Sequence, residues 1–365
     1  MVDYNKKIKE LEDELKKTKY NKATQGHIGI VKAKIAQLKE KQESRTQKKT
    51  GRSDYGYSVR KSGDGTILIL GFPSAGKSTL LNKLTGASSE VGAYAFTTLS
   101  VIPGMLEYKQ SKIQILDVPG IVSGAASGKG RGKEVLTVIR TADMVLIVID
   151  VNHPEHHPAI LKEVWDSHIR VNKVKPEVYI KKKSQGGIHI GKTVPLAVDD
   201  ETLKRILREF KVVNAEVLIR SPIDIDDFID CIEGNKKYIP AITCITKADL
   251  ADVATVSKIK KELNADFAIS AEQGINIEIL KEKIFQKLDF IRIYMKEPGK
   301  DADMKEPLII KRNSTINDVC NKLHRDFPKR FKFARVWGSS TKFPGQRLML
   351  NHCLKDKDIL EIHLR

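Results

Sequence analysis

Eight consecutive residues, Gly71-Phe72-Pro73-Ser74-Ala75-Gly76-Lys77-Ser78, follow the spacing G-x-x-x-x-G-K-S, the pattern of a loop that wraps phosphate. Glycines let the backbone curl so that its N–H groups converge on phosphate oxygens. A helix N-terminus behind them adds its positive end. The Lys77 ammonium is then placed to reach β- and γ-phosphates, and the Ser78 hydroxyl to ligate Mg2+. Gly71, Pro73, Ser74, Ala75, Gly76 and Thr79 complete the candidate phosphate contacts. The competing reading is a glycine-rich turn with no ligand. The flanks argue against it: Thr66–Leu70 is an apolar run suited to a buried strand, and Thr79–Leu84 has the apolar spacing of a helix start.

A second constellation follows. Met105–Tyr108 and Lys112–Leu116 read as two strands with a turn between them, and the second runs into Asp117-Val118-Pro119-Gly120. A carboxylate at this point, Asp117, can hold Mg2+ through water, and the Gly120 N–H can meet a γ-phosphate. D-x-x-G is common, but here it stands 39 residues beyond Ser78 and behind a strand. Between the two motifs lies Tyr94-Ala95-Phe96-Thr97-Thr98. Thr98 is the candidate to close over Mg2+ and γ-phosphate as switch loops do, although threonine pairs are also ordinary strand residues. Ser123–Gly132 holds four further glycines with basic points. It reads as a mobile switch or as a plain surface loop. The candidate catalytic set is Lys77, Thr98, Asp117 and Gly120.

Base recognition has its own signature. Met144–Val151 and Ile239–Ile245 are continuous apolar runs of the kind central parallel strands show. The second leads into Thr246-Lys247-Ala248-Asp249. The Asp249 carboxylate can accept from guanine N1–H and the N2 amino group, whereas adenine would leave it desolvated and unpaired. The Lys247 stem would pack over the base. Phe267–Ala271 reads as one more strand ending in Ser270-Ala271, whose Ala271 N–H can meet guanine O6. In this chain order the motifs favour GTP over ATP; an ATPase reading requires discounting Asp249.

The elements that must position these groups lie in a chain of 365 residues, 41% of them hydrophobic, enough for two to four domains with real cores. No apolar run reaches membrane-spanning length, and the beginning is charged rather than signal-like, so a soluble cytoplasmic protein without a membrane partner is expected. Cys231, Cys244, Cys320 and Cys353 lie far apart and suggest neither a zinc site nor a disulfide framework. His153, His156 and His157 have metal-like spacing, but Pro154 and Pro158 should interrupt any helix there and no acidic partner repeats, so the bland reading is preferred. Net charge is +18 and unevenly placed: residues 1–64 carry 17 Lys+Arg against 9 Asp+Glu, and residues 301–365 carry 14 against 8. Basic flanks of this kind suit a polyanion such as RNA; solvated surface helices are the competing reading.

Four regions are expected. Residues 1–64 form an N-terminal helical hairpin or helix-turn-helix-like unit, its first helix ending near Gly26–Gly29. Residues 65–169 and 234–295 form an α/β nucleotide-binding core. The spacing from Asp117 to Thr246 exceeds what a minimal core needs, so a small α+β lobe is inserted within 170–233. It should hold a β-hairpin from Val178–Ile180 to Ile188–Ile190 and a helix over 199–209. Residues 296–365 suggest a β-grasp tail of strands around one helix. Within it, Phe327–Phe333 interleaves basic and aromatic residues and offers either an RNA surface or core.

With these residues in hand, the chain resembles the developmentally regulated GTP-binding proteins, a branch of the Obg-like GTPases. The carriers are Gly71–Thr79 as G-F-P-S-A-G-K-S-T, Tyr94–Leu99 as Y-A-F-T-T-L, Asp117–Gly120, and Gly128-Lys129-Gly130-Arg131-Gly132. The tail resembles a TGS domain, residues 20–34 the family's N-terminal helical unit, and the insert the ribosomal S5 domain-2 fold. The resemblance implies a soluble GTPase acting in translation, in contact with the ribosome and a regulatory partner protein, with Mg2+ as cofactor. Three positions depart from related patterns. Thr246 stands where the family usually has Asn. Ile121 stands where Ras-like enzymes place a water-orienting Gln. Ser74 stands where potassium-activated relatives use Asn, which leaves K+ open as an activator. No general base is evident, so slow intrinsic turnover is expected. Two classes of function remain: a GTP-hydrolysing switch, and a ribosome- or RNA-binding adaptor whose nucleotide is mainly structural.

Overall fold

The computed structural model describes residues 4–50, 63–86, 102–117 and 141–365. The chain divides into two compact units, one of residues 1–56 with 168–238 and the other of 57–167 with 239–365.

The second unit is built on a six-stranded sheet. Strands β1 (Gly65–Leu70), β3 (Ser111–Asp117), β4 (Met144–Asp150), β10 (Ala241–Thr246) and β11 (Phe267–Ala268) are parallel. Strand β2 (Ile102–Tyr108) closes one edge antiparallel to β3, giving the order β11-β10-β4-β1-β3-β2. Every residue of β1, β4 and β10 is buried, which is why these segments read as unbroken apolar runs. The β2–β3 turn falls on Lys109 and Gln110, both left-handed at φ 49° and 64°, the backbone a two-residue hairpin needs. The register sets the parallel strands level: Ile69 lies opposite Asp117, and Thr246 opposite Asp150. The carboxyl ends of β1, β3, β4 and β10 therefore open on one rim, where α/β sheets hold their ligands.

Helices α3 (Lys77–Thr85), α4 (His156–Asp166), α7 (Val253–Glu262) and α8 (Ile277–Leu288) belong to this unit. Helix α3 lies close to β2, where a Cβ on Gly104 would stand 2.6 Å from Thr85 Cγ2. Helix α4 corrects an expectation. Pro158 does not interrupt it, because Pro158 sits in its first turn, where the missing N–H has no intrahelical partner to lose. The strand expected over Phe267–Ala271 is likewise shorter, stopping at Ala268. Ser270 instead forms an isolated bridge with Ile275.

The tail is a five-stranded sheet in the order β13-β12-β16-β14-β15. It comprises β12 (Phe290–Met295), β13 (Leu308–Lys311), β14 (Phe331–Trp337), β15 (Gln346–Leu348) and β16 (Asp358–Leu364). Helix α9 (Ile316–Leu323) starts at a capping box between Thr315 and Asp318, and α10 (Phe327–Arg330) follows. Strand β12 alternates between two cores. Phe290 packs with the residues of the six-stranded sheet, while Ile291 and Ile293 pack with Ile316, Val319 and Val336 of the tail. The aromatics of Phe327–Phe333 are not an open stacking surface. Phe331 is core and Phe327 packs against it, while Phe333 is stacked on His363 with the Arg347 guanidinium over its ring.

The first unit joins the N-terminal helices to the inserted lobe. Helix α1 (Tyr4–Lys17) ends well before the glycines, and α2 (Gln25–Thr50) runs through them. The turn between is fixed by Asn21 and Thr24, with Asn21 Oδ1 accepting from the Thr24 N–H at 2.9 Å. Gly26 and Gly29 serve close packing instead of ending a helix. A Cβ on Gly29 would lie 3.1 Å from Ile206 and 3.2 Å from Thr202 of α5 (Asp200–Glu209). Strands β6 (Val178–Lys182), β7 (Ile188–Lys192) and β8 (Ala215–Ile219) form a sheet in the order β6-β8-β7. The expected hairpin of β6 with β7 is therefore replaced by two pairings to β8, antiparallel and parallel. Only β8 carries a fully buried side, Ala215, Val217 and Ile219, so it takes the centre. Helix α6 (Ile225–Glu233) begins at a capping box on Asp224 and Asp227. Ile28 and Ala33 of α2 share a core with Leu203, Ile206, Leu207, Val217 and Phe228. Strand β5 (Ile169–Val171) pairs with β9 (Lys237–Ile239) where the lobe leaves and rejoins the chain.

Candidate nucleotide-binding site

The glycine loop leaves β1 at Gly71, where a Cβ would come within 2.6 Å of the Val148 carbonyl oxygen. Only glycine lets the loop pass this close to β4. Pro73 and Ser74 stand exposed on its crest and Ala75 turns inward. Ser74 and Gly76 take left-handed φ of 63° and 82°, and Gly76 caps α3. Lys77, Ser78 and Thr79 thus form the first turn of a helix, whose N–H groups have no intrahelical acceptors and aim at the loop's hollow.

The side chains converge as the sequence suggested. Ser78 Oγ donates to Asp117 Oδ2 at 3.1 Å, joining the loop to the end of β3. Lys77 Nζ donates to the Phe72 carbonyl at 3.0 Å. Asp117 is buried, and its Oδ1 has no hydrogen-bond partner among the described residues. Burial pulls the Lys77 ammonium below its usual range, with Asp117 opposing. Burial also pushes the Asp117 carboxyl up, against the pull of Lys77 and the Ser78 hydrogen bond. Both charged forms are short of solvation here. An orphaned carboxylate oxygen beside a hydroxyl is a donor set that fits a hard cation such as Mg2+.

On the other side of the loop, β10 delivers Thr246. Its buried hydroxyl lies 2.8 Å from the Ala75 carbonyl oxygen and 3.1 Å from that of Ile149. Lys247 follows in a left-handed conformation, φ 55°, and its ammonium donates to Asp150 Oδ2 at 2.7 Å. Burial opposes the charge on Asp150, but the Lys247 ammonium and the Asn152 N–H hold its carboxyl below the usual range. Asp249 is exposed in a short turn, Ala248–Leu250. The Ala248 N–H donates to the Ile269 carbonyl at 3.1 Å, tying this turn to Ser270 and Ala271. Ser270 Oγ accepts from the Gln273 N–H at 3.2 Å.

Thr98, Gly120, Ile121 and the Gly128–Gly132 run lie outside the described residues. Two groups were missed from the sequence. Asp150 ends a continuous apolar strand, a position at the rim of a parallel sheet that could have marked it. Glu155, between His153 and His156, is the acidic neighbour that was discounted: its Oε1 is 2.9 Å from His153 Nδ1.

Relatives settle the family. A developmentally-regulated GTP-binding protein 2 of Homo sapiens is 40% identical over 358 residues, covering 98% of this chain and 98% of the relative. The developmentally-regulated G-protein 1 of Arabidopsis thaliana is 41% identical over 361 residues, covering 98% and 90%. The chain belongs to the developmentally regulated GTP-binding protein family. A GTP-binding protein of Methanocaldococcus jannaschii is nearer, 51% identical over 370 residues, with 100% and 94% covered. Family models divide the same length in order: a 50S ribosome-binding GTPase over residues 66–183, the C-terminal region of the MMR_HSR1 domain over 185–290, and a TGS domain over 291–364. The fold is thus that of a P-loop GTPase with a C-terminal TGS domain. No helix among the described residues is long and apolar enough to cross a membrane.

Proposed function

We propose that this chain binds GTP and GDP and slowly hydrolyses GTP to GDP and phosphate, acting in the cytoplasm as a switch on the ribosome or another structured RNA. The observation that carries the catalytic reading is the Ser78–Asp117 contact beside Lys77, with one Asp117 oxygen buried and unpartnered among the described residues. Backbone N–H groups of the glycine loop and the first turn of α3 cradle the phosphates. Lys77 exchanges the Phe72 carbonyl for β- and γ-phosphate oxygens. The Ser78 hydroxyl, Asp117 and Thr98 would hold Mg2+, Asp117 by way of water, and the ion would supply charge neutralisation for phosphoryl transfer. Asp249 accepts from guanine, Lys247 is steadied by Asp150 as its stem crosses the base, and Ala271 offers its N–H to guanine O6. No side chain in this set acts as a general base, so turnover depends on positioning and is slow.

Single-turnover and multiple-turnover hydrolysis, with and without ribosomes, test this reading. Ser78→Ala and Thr98→Ala should lose hydrolysis, and wild-type rates in either would overturn the assignment. Asp249→Asn should exchange GTP for xanthosine triphosphate, because xanthine keeps the N1–H donor but carries a C2 carbonyl, which accepts from the new amide NH2, in place of guanine's amino donor.

The ribosomal part rests on charge. Lys329, Arg330 and Lys332 are exposed on the tail, and residues 1–64 add a second basic flank. About five phosphate contacts would give a log–log salt slope near −4. Sedimentation with ribosomes across a salt series should show that slope, made shallower by Lys329→Gln, Arg330→Gln and Lys332→Gln. Binding indifferent to salt would remove the RNA partner.

A further inference from the structure

The segment after β4 brings together three side chains that the GTPase reading leaves unused. The His153 N–H donates to the Asp150 carbonyl at 3.0 Å, and the His156 N–H donates to the His153 carbonyl at 3.2 Å. This turn sets the His153 and His156 rings face to face, centroids 5.1 Å apart and 21° from parallel. Glu155 Oε1 lies 2.9 Å from His153 Nδ1, and one donor atom from each of the three residues falls within 4.8 Å of the others. A tetrahedral ion about 2.0–2.2 Å from each donor would set them roughly 3.3 Å apart, so binding requires the exposed His153 ring to turn its lone pair toward the ion while His156 keeps its place on Phe72. Pro154 lies within the cluster, between His153 and Glu155, and fixes φ there, which lowers the entropy lost on closing it.

The cluster also touches the site. The His156 ring is stacked on Phe72, centroids 3.8 Å apart and 16° from parallel. Phe72 is the second residue of the glycine loop, and its carbonyl accepts the Lys77 ammonium.

We propose that His153, Glu155 and His156 form a binding site for a borderline transition cation such as Zn2+, Co2+ or Ni2+, joined to the phosphate loop through the His156–Phe72 stack. Two imidazoles and one carboxylate suit these ions. Mg2+, which takes oxygen ligands and keeps its waters, is not held by such a set. Three protein donors leave positions open to water, as in zinc sites that exchange ligands. A cation on His156 withdraws electron density from its ring and tightens the contact with the face of Phe72. Occupancy then steadies the residue that holds Lys77. By linkage, nucleotide and transition metal alter each other's affinity by the same factor.

The test is competition for Co2+ and Zn2+ between the untagged full-length chain and a chromophoric chelator, in excess Mg2+. One equivalent should bind to the wild type, with Co2+ giving visible absorption. Affinity should fall at least ~10-fold in His153→Ala and in His156→Ala, since losing even an outer partner of a metal ligand costs about 10–100-fold. Glu155→Gln should weaken binding less, and His189→Ala should leave it unchanged. Imidazole NMR signals provide a readout that needs no variant: Zn2+ should shift those of His153 and His156 in the wild type before those of other histidines. Equal affinity in the wild type and the His153→Ala/His156→Ala double variant, or Zn2+ shifts confined to other histidines, would overturn the proposal and leave the cluster as a surface ion pair.

Discussion

Thr246 brings one hydroxyl to the end of β10, and that hydroxyl reaches the Ala75 and Ile149 carbonyls from a fully buried site. Thr246→Val keeps the shape and deletes the donor. A buried acceptor left unmade costs about 1–3 kcal/mol, so urea unfolding should show a loss of that size, and GDP affinity should fall as the loop loosens. Thiol reactivity gives a second expectation. Burial, with Asp230 and Asp227 adding to it, pushes the Cys231 thiol up to about 11, and Cys244 is fully buried. Because the raised value favours the neutral thiol, Cys231 stays largely protonated at pH 8 and gains reactivity only as pH approaches 11. Exposed Cys353 should therefore be alkylated first by iodoacetamide at pH 8, as peptide mapping over time would show; Cys231 labelling at the same rate would contradict the burial argument. At this scale the motif spacing was informative for the neighbours it brings together in the described residues. Lys77, Ser78 and Asp117 stand together as their spacing implied. Asp150 could have been marked by its place at a strand end, but its partner Lys247 lies 97 residues away, and the turn that brings Glu155 to His153 is not recorded by helical or strand periodicity.

Whole helices and strands were read best where burial is two-sided and worst where one neighbour decides the layout. β1, β4 and β10 announced themselves by composition. β6 and β7 looked like the two arms of a hairpin because a glycine pair joins them and both alternate. Their true neighbour, β8, arrives only after α5, and its buried side claims the middle of the sheet. The glycines of α2 misled for a related reason: they signal either a helix end or a close approach, and Ile206 and Thr202 on α5 choose the second. Filling that approach is the matching experiment. Gly29→Leu should overpack the α2–α5 contact and cost about 1–3 kcal/mol, lowering the unfolding midpoint and hydrogen-exchange protection in α2 and α5 while leaving the protection of β1 and β4 unchanged.

Across the second unit, the strand that matters most is β12. Its side chains serve two cores in turn, Phe290 one way and Ile291 and Ile293 the other. A chain ended after Met295 would keep Phe290 in place but turn Ile291 and Ile293 to water on an unpaired edge. Such an edge is a template for association. The shortened chain should therefore aggregate, by light scattering at concentrations where the full chain stays monodisperse; a well-behaved monomer would show that the tail's core is dispensable. Composition and apolar periodicity suggested an α/β core followed by a β-grasp tail, and that architecture is present. The alternation within β12 was not legible, because two hydrophobic partners look the same in one dimension.

The position of β16 has a consequence for synthesis. It lies between β12 and β14, so the tail cannot close in the order in which it is made. Until Asp358–Leu364 has emerged from the ribosome, β12 with β13 and β14 with β15 are two separate ribbons, each with an open edge. Two-stranded ribbons are marginal in water. A nascent chain halted between Leu348 and Asp358 would carry a finished phosphate loop and an unfinished tail, and would offer quality-control proteases a target that the arrival of β16 withdraws in a single step.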